Sequence, residues 1–122
     1  MLGHSMGGGV TMYGLVAAPE LIDAAILYAP VHSQEWYNYK RWREDSLSNE
    51  EKEALTVIYG NLENPKSFET ISPENYFKNI QAPVQMYFGT QDESCPIEWG
   101  YDIENAFQNA GKEIEFIIYE GE

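Results

Sequence analysis

The stretch Gly3-His4-Ser5-Met6-Gly7 decides how this chain folds, because it has the pattern G-x-S-x-G. This pattern is typical of a serine held on a sharp turn between a strand and a helix. Glycines on both sides of the serine relieve crowding by β-carbons, so the hydroxyl of Ser5 can stand exposed above the sheet. The amide of Met6 would lie at the start of the following helix, where the helix dipole favours donation to a developing oxyanion. The pattern therefore predicts Ser5 as a nucleophile and the Met6 N–H as an oxyanion-hole donor.

Two other interpretations of this glycine-rich stretch are open. It could be an ordinary turn that opens a helix, or a phosphate-binding loop. The phosphate-binding loop is disfavoured because the chain lacks the Lys-Ser/Thr pair of a P-loop and the G-x-G-x-x-G spacing there. The sharp strand-to-helix turn that presents a nucleophilic serine, called a nucleophile elbow, is favoured for two reasons. A helical pattern follows at once and ends at Pro19, and an apolar run comes next.

Short apolar runs alternate with helical patterns on both sides of the chain's middle. Such alternation predicts an α/β fold with a parallel sheet of about three strands and flanking helices. The predicted elements are, in chain order, a helix through residues 10–18, a strand at 24–28, a strand at 84–88, a helix whose apolar face contains Ile103, Ala106, Phe107 and Ala110, and a strand at 114–119.

Residues 31–71 have a different character and are predicted to form a helical, lid-like insertion. Ser48 and Glu51 have the spacing of a capping box, which predicts a helix from this point to about Tyr59. Residues 61–67 are polar, contain a proline and are predicted to be a loop. Ser72-Pro73 predicts the start of another short helix.

An aromatic cluster begins this insertion, and its members are Trp36, Tyr37, Tyr39 and Trp42. Because the cluster follows a strand that would end near Ser5, Trp36, Tyr37 and Trp42 are candidate substrate-binding residues. The alternative is that the aromatic side chains pack into a core of the insertion itself.

The composition excludes several classes of function. The chain has 122 residues, 7 basic and 20 acidic side chains, and a formal net charge of −13. Nucleic-acid phosphates and anionic membranes would be repelled, so we expect neither as a partner.

Cys95 is the single cysteine and cannot form an intrachain disulfide, which slightly favours a cytoplasmic location. No residue pattern calls for a metal or cofactor.

Further passages carry a resemblance to a known family. They are Ser72-Pro73, Ile80-Gln81-Ala82-Pro83-Val84, Phe88-Gly89-Thr90-Gln91-Asp92, Cys95-Pro96 and the stretch 110–119. Together with the elbow, they resemble the "SP…I..PV…G..D..VP" passage and closing strand of the prolyl oligopeptidase family and its acyl-peptidase-like and esterase relatives. The resemblance covers residues 1–30 and 72–122, and it implies part of an α/β-hydrolase domain over residues 1–122, with 31–71 where relatives carry variable insertions.

The resemblance assigns roles to two side chains. Ser5 corresponds to the nucleophile, and Asp92 to the acid that orients a histidine and stabilises its charged form. Glu93 is an alternative acid if the register differs by one residue. The family's histidine follows the last strand and its first strands precede the elbow. This chain stops at Glu122 without that histidine and has only Met1 and Leu2 before Gly3, so we expect a chain truncated at both ends. His4 should point away from the Ser5 hydroxyl, and His32, expected near the rim of the site, is an alternative base.

These features predict a serine hydrolase that forms an acyl-enzyme on Ser5 with a peptide or ester substrate. The resemblance favours a peptidase of the prolyl oligopeptidase-like group. A carboxylesterase or lipase is one alternative, and a non-catalytic domain that binds a partner through its aromatic insertion is another. Without a histidine base the hydroxyl is not activated, so we expect the 122 residues alone to be inactive. We also expect them to be poorly stable, because their first strand would leave an open edge.

Overall fold

A computed structural model describes all residues, 1–122, and divides them into two compact units, residues 1–33 with 73–122 and residues 34–72. The strands are β1 (Leu2–His4), β2 (Ala25–Tyr28), β3 (Val84–Gly89) and β4 (Glu115–Tyr119). The α-helices are α1 (Met6–Ala17), α2 (Glu35–Asn38), α3 (Asn49–Tyr59) and α4 (Ile97–Asn109). Short 3₁₀ helices span Pro19–Leu21, Glu44–Ser46, Pro65–Ile71 and Pro73–Asn79, and a π-helical turn spans Tyr39–Arg43. None of the helices combines the length and the apolar character needed to cross a bilayer.

The first unit is built on a parallel sheet with the strand order β1-β2-β3-β4. The parallel α/β architecture expected from the sequence is confirmed, with four strands in place of about three. The added strand is β1, whose three residues are too few to show an apolar pattern. β1 and β4 are the edges of this sheet.

One face of the sheet is covered by α1 and α4. Alternate residues of β3 point into this core, and Met86 and Phe88 are almost fully buried. Ile103 and Phe107 of α4 are fully buried, as the predicted apolar face requires, and the ring of Phe107 lies 4.4 Å from that of Phe77. The burial of these large side chains in one cluster is the main stabilising contribution to this unit.

Aromatic rings form a row across the opposite face. The ring of His4 lies 5.3 Å from that of Tyr28, which lies 6.4 Å from Tyr87, and Tyr87 stacks on Tyr119 at 6.0 Å. His4, Tyr28 and Tyr87 are register partners on successive strands, which is why their side chains meet. Tyr28 and Tyr119 remain about half exposed.

The second unit contains the predicted capping box. The Ser48 hydroxyl accepts a hydrogen bond from the Glu51 amide at 3.1 Å, and the Glu51 carboxylate accepts one from the Ser48 amide at 2.8 Å. α3 begins after Ser48 and ends before Gly60, as predicted. The loop predicted for residues 61–67 is partly wrong, because a 3₁₀ helix starts at Pro65. The Asn64 side chain accepts a hydrogen bond from the Lys66 amide there, and proline is favoured at a first helical position.

Aromatic rings also form the core of the second unit. Phe68 stacks on Tyr39 at 5.2 Å and on Tyr59 at 5.5 Å. Trp36 packs against the same cluster and donates a hydrogen bond from Nε1 to the Leu62 carbonyl at 3.1 Å. The insertion therefore has a hydrophobic core of its own.

An ion-pair network lies beside this core. The Lys40 ammonium contacts Glu63 at 2.5 Å and Glu44 at 2.9 Å. The hydrogen bonds with these carboxylates, that with Glu63 first, raise the pKa of Lys40, and the bond from Lys40 lowers the pKa of Glu63. Burial raises the pKa of the neighbouring Tyr39.

Candidate active site

Ser5 lies on the sharp turn between β1 and α1, as the sequence pattern predicted. Its backbone angles are φ 54° and ψ −117°, a sparsely populated conformation for a residue with a β-carbon. Such strain costs on the order of 1–3 kcal/mol and persists only where the surrounding structure enforces it.

Four backbone hydrogen bonds hold Ser5 in this conformation. Its N–H donates to the Tyr28 carbonyl at 3.0 Å. Its carbonyl accepts from the amides of Gly8 at 2.9 Å, Gly9 at 3.3 Å and Val31 at 3.1 Å. The bonds from Gly8 and Gly9 belong to the first turn of α1. The bond to Tyr28 continues the pairing of β1 with the end of β2, and the bond from Val31 comes from the segment that follows β2.

Glycine is required around Ser5 at Gly3, Gly8 and Gly9, and the expectation for Gly7 is wrong. A β-carbon on Gly3 would collide with the carbonyl of Gly7, so the expectation holds for Gly3. A β-carbon on Gly7 would meet nothing within 4 Å, so the crowding expected there is absent. Gly8 and Gly9 are the crowded positions of this turn, because the neighbouring segment packs directly on their Cα atoms.

Met6 is the first residue of α1, and its side chain is exposed. N–H groups in the first turn of a helix have no intrahelical acceptor. The Met6 amide lies in this first turn, directly after Ser5, and its role as an oxyanion donor stays a prediction.

Asp92 lies in the turn after β3, at the carboxyl end of the sheet. Its Oδ1 accepts hydrogen bonds from the amides of Ser94 at 2.8 Å and Cys95 at 2.9 Å. The half-buried carboxylate opens onto a cavity of about 370 Å³ whose other lining residues are Tyr28, Ala29, Gly89, Tyr119 and Glu122. Ser5 does not line this cavity. Glu93, the alternative acid that follows Asp92 in the chain, is exposed.

Cys95 is the residue near Ser5 that the sequence analysis missed. Its thiol is buried, and Sγ lies 3.9 Å from Ser5 Oγ. The turn closed by Asp92 positions Cys95, since the Cys95 amide is bound to that carboxylate. No local pattern marks this contact, because the two residues are 90 positions apart.

The two histidines have other neighbours. The ring of His4 packs on Tyr28, as its outward direction predicted. The interpretation of His32 as a rim residue is wrong: only 1% of its surface is exposed. Its Nε2 lies 3.0 Å from the Asp102 carboxylate on α4, and its ring meets the edge of Trp99. The sequence position of His32 after β2 gives no indication of this burial, because the residues that cover it belong to α4, about seventy positions further along the chain.

The aromatic candidates for substrate binding lie in the second unit. Trp36 belongs to the packing of that unit's core, and its ring meets Tyr37 edge-on at 5.1 Å. Trp42 is 41% exposed. Their role in binding a substrate stays a prediction. The structure has no group of three or more acidic, histidine or cysteine side chains placed to hold a metal ion.

Comparison with known proteins identifies the family. The sequence profile of the prolyl oligopeptidase family matches residues 1–122. This chain belongs to the prolyl oligopeptidase family. The acylamino-acid-releasing enzyme of Arabidopsis thaliana is 23% identical over 129 residues, which cover 98% of this chain and 16% of that enzyme. The chain thus spans about a sixth of the length of this curated relative.

Several solved structures have the same fold as this chain. The acylaminoacyl peptidase of Pyrococcus horikoshii superimposes with a TM-score of 0.75 at 23% identity, over 100% of this chain and 19% of that one. Porphyromonas gingivalis dipeptidyl peptidase 4 superimposes with a TM-score of 0.70 at 21% identity, over 99% and 16%. Thermogutta terrifontis esterase 2, phosphonylated by sarin, gives 0.60 at 23% identity, over 99% and 45%. These likenesses confirm a partial α/β-hydrolase fold.

Proposed function

We propose that this chain carries the nucleophile and the acid of a serine peptidase, and that it cleaves a peptide bond through an acyl-enzyme on Ser5. The observation that carries the proposal is the conformation of Ser5, a strained residue between a strand and a helix with its carbonyl and N–H both bound. Membership of the prolyl oligopeptidase family supports the choice of reaction.

The proposed mechanism starts with the Ser5 hydroxyl. Its Oγ attacks the scissile carbonyl while a histidine takes the proton, and a tetrahedral oxyanion forms. The Met6 N–H donates to this oxyanion. The histidine then gives the proton to the leaving amine, and water hydrolyses the acyl-enzyme by the same steps in reverse order.

Asp92 is proposed to orient that histidine. Its hydrogen bonds in the structure fall on Oδ1, so Oδ2 can accept from an imidazole N–H. The resemblance to the family puts the histidine after the last strand, and the cavity beside Asp92 includes Tyr119, at the end of β4. We infer that the histidine of the full-length product enters this cavity. The insertion residues Trp36, Tyr37 and Trp42 remain candidates for binding the substrate.

Labelling with a fluorophosphonate tests the nucleophile in the full-length product of the gene. We expect the wild type to be labelled on Ser5, as identified by mass spectrometry of the modified peptide. The variant Ser5→Ala should not be labelled, whereas Ser94→Ala, an exposed serine near Asp92, serves as the matched control. Labelling that persists in Ser5→Ala would exclude Ser5 as the nucleophile. A wild type that is never labelled would favour the non-catalytic binding domain.

An esterase is the second candidate, because Thermogutta terrifontis esterase 2 shares the fold. Membership of the prolyl oligopeptidase family favours the peptidase. Turnover of aminoacyl anilides and of short-chain esters by the full-length product separates the two. A clear preference for the esters would overturn the choice of peptidase and leave Ser5 as the nucleophile.

A further inference from the structure

Ser5 is not the only strained residue at the carboxyl end of the sheet. Ser5 and Ala29 are the two residues other than glycine with a positive φ, at 54° and 40°. Ala29 follows β2, the strand that pairs with β1, so the two strained turns lie side by side. Ala29 is buried, so neither exposure nor fraying explains its conformation.

The turn at Ala29 lies between two backbone groups that bind Ser5, the first at the end of β2 and the second beyond the turn. The Tyr28 carbonyl before it accepts from the Ser5 N–H at 3.0 Å, and the Val31 amide after it donates to the Ser5 carbonyl at 3.1 Å. The Ala29 amide itself donates to the Tyr87 carbonyl at 2.7 Å, which anchors the turn to β3. A chain that stayed extended after Tyr28 could not return the Val31 amide to Ser5, and the positive φ of Ala29 reverses it.

The side chains of the same turn pack on the helix that Ser5 opens. A β-carbon on Gly8 would come within 2.5 Å of Pro30 Cβ and 2.8 Å of Pro30 Cα. A β-carbon on Gly9 would come within 2.6 Å of Val31 Cγ2. The first turn of α1 is therefore in direct contact with the turn after β2, and the glycines permit that contact.

We propose that residues 28–31 act as a brace that holds the backbone of Ser5 in its strained, reactive conformation, with Ala29, Pro30 and Val31 as positioning residues. This inference rests on the proposed function, in which Ser5 is the nucleophile. The brace gives Ser5 the hydrogen bond from the Val31 amide, which neither the pairing of β1 with β2 nor the first turn of α1 supplies. It thereby supplies the enforcement that a strained active-site residue needs.

The test separates the brace from α1 with one methyl group. Gly8→Ala pushes Pro30 away and removes no hydrogen-bonding group, whereas Gly14→Ala makes the same change on the same helix against flexible side-chain ends at 3.3 Å. In the full-length product we expect Gly8→Ala to lower the maximal rate of fluorophosphonate labelling of Ser5 about 10- to 100-fold, as a displaced nucleophile does. The reagent concentration at half-maximal rate and the labelled fraction should stay within about twofold of wild type, and Gly14→Ala should match wild type.

Partial unfolding would give a different result, because it lowers the labelled fraction and leaves the rate of the folded fraction unchanged. A wild-type rate in Gly8→Ala would overturn the brace. If Gly8→Ala does not fold, Ala29→Gly and Ala29→Val replace it. Glycine accepts a positive φ and should label within about threefold of wild type, whereas the β-branched valine should label at least about tenfold more slowly. Equal rates in the two variants would overturn the proposal.

Amide hydrogen exchange separates failure of the brace from failure of the proposed function. We expect the Val31 amide to be protected in wild type and in Gly14→Ala, and to exchange at least about tenfold faster in Gly8→Ala. Unchanged exchange would overturn the brace whatever the labelling result. A wild type without labelling would reject Ser5 as a nucleophile, while faster Val31 exchange in Gly8→Ala would still support the hold on the Ser5 backbone.

Discussion

Replacing Asp92 by Asn or by Ala separates its proposed catalytic role from its structural role. Asp92→Asn keeps Oδ1 as an acceptor for the amides of Ser94 and Cys95, which lie at 2.8 and 2.9 Å, and removes the negative charge. Charge-assisted hydrogen bonds are about twice as strong as neutral ones, and a neutral bond contributes about 1 kcal/mol. We therefore expect Asp92→Asn to lower the free energy of unfolding by about 1–2 kcal/mol, and Asp92→Ala, which removes both bonds, by about 2–4 kcal/mol.

The two variants should share the loss of activity. An amide cannot hold a histidine in the required tautomer or stabilise its positive charge, and that change in a serine triad costs about 10⁴-fold in rate. We expect both variants of the full-length product to label with fluorophosphonate about 10³- to 10⁴-fold more slowly than wild type. If Asp92→Ala is less stable than Asp92→Asn but both variants label equally slowly, the loss of labelling rate comes from the missing carboxylate and not from the weakened turn.

Glu93→Gln is the control, because Glu93 is the adjacent carboxylate, is exposed and is the alternative acid left open by the sequence. Its labelling rate should stay within about twofold of wild type. Urea unfolding followed by circular dichroism measures stability, and the time course of labelling measures rate. A wild-type rate in Asp92→Asn, or a large loss in Glu93→Gln, would refute the assignment of Asp92.

Three further predictions concern stability and can be measured by urea unfolding. Phe107→Ala, which empties a fully buried site against Phe77, should cost about 3–5 kcal/mol, and a cost below about 1 kcal/mol would contradict the packing of α4. Ser48→Ala should cost about 1 kcal/mol and shorten α3, and Ser48→Asp should restore most of it. The lowered pKa of Glu63 and the raised pKa of Lys40 predict stability that weakens as pH falls below 4.5 and as it rises above 10.5. Lys40→Met should make both trends smaller, and unchanged trends would contradict the ion-pair network.

Local patterns in the sequence were enough to predict most elements of the fold. The capping box of Ser48 and Glu51 predicted α3 with its observed bounds, because both hydrogen bonds join residues three apart. The apolar runs predicted β2, β3 and β4 to within a residue or two, since a buried parallel strand has few polar positions. β1 cannot be predicted in this way, because its three residues carry too little pattern for an assignment.

The glycine pattern shows where such reasoning stops. It predicted the strand–turn–helix geometry of Ser5, and it attributed crowding to Gly7. Besides Gly3, the crowding falls on Gly8 and Gly9, because Pro30 and Val31 pack there. A pattern of five residues contains no information about a segment more than twenty residues further along. The burial of His32 against α4 could not be predicted for the same reason, since the contacting residues are distant in the sequence.

Local sequence patterns are enough to predict the α/β class, the turn at Ser5 and the position of Asp92 after a buried strand, since each depends on residues within a few positions of one another. Tertiary structure alone decided what surrounds Ser5. The thiol of Cys95 lies beside its hydroxyl, and the turn after β2 holds its backbone. These contacts form because parallel strands bring their carboxyl ends to one edge of the sheet, where residues distant in the chain become neighbours.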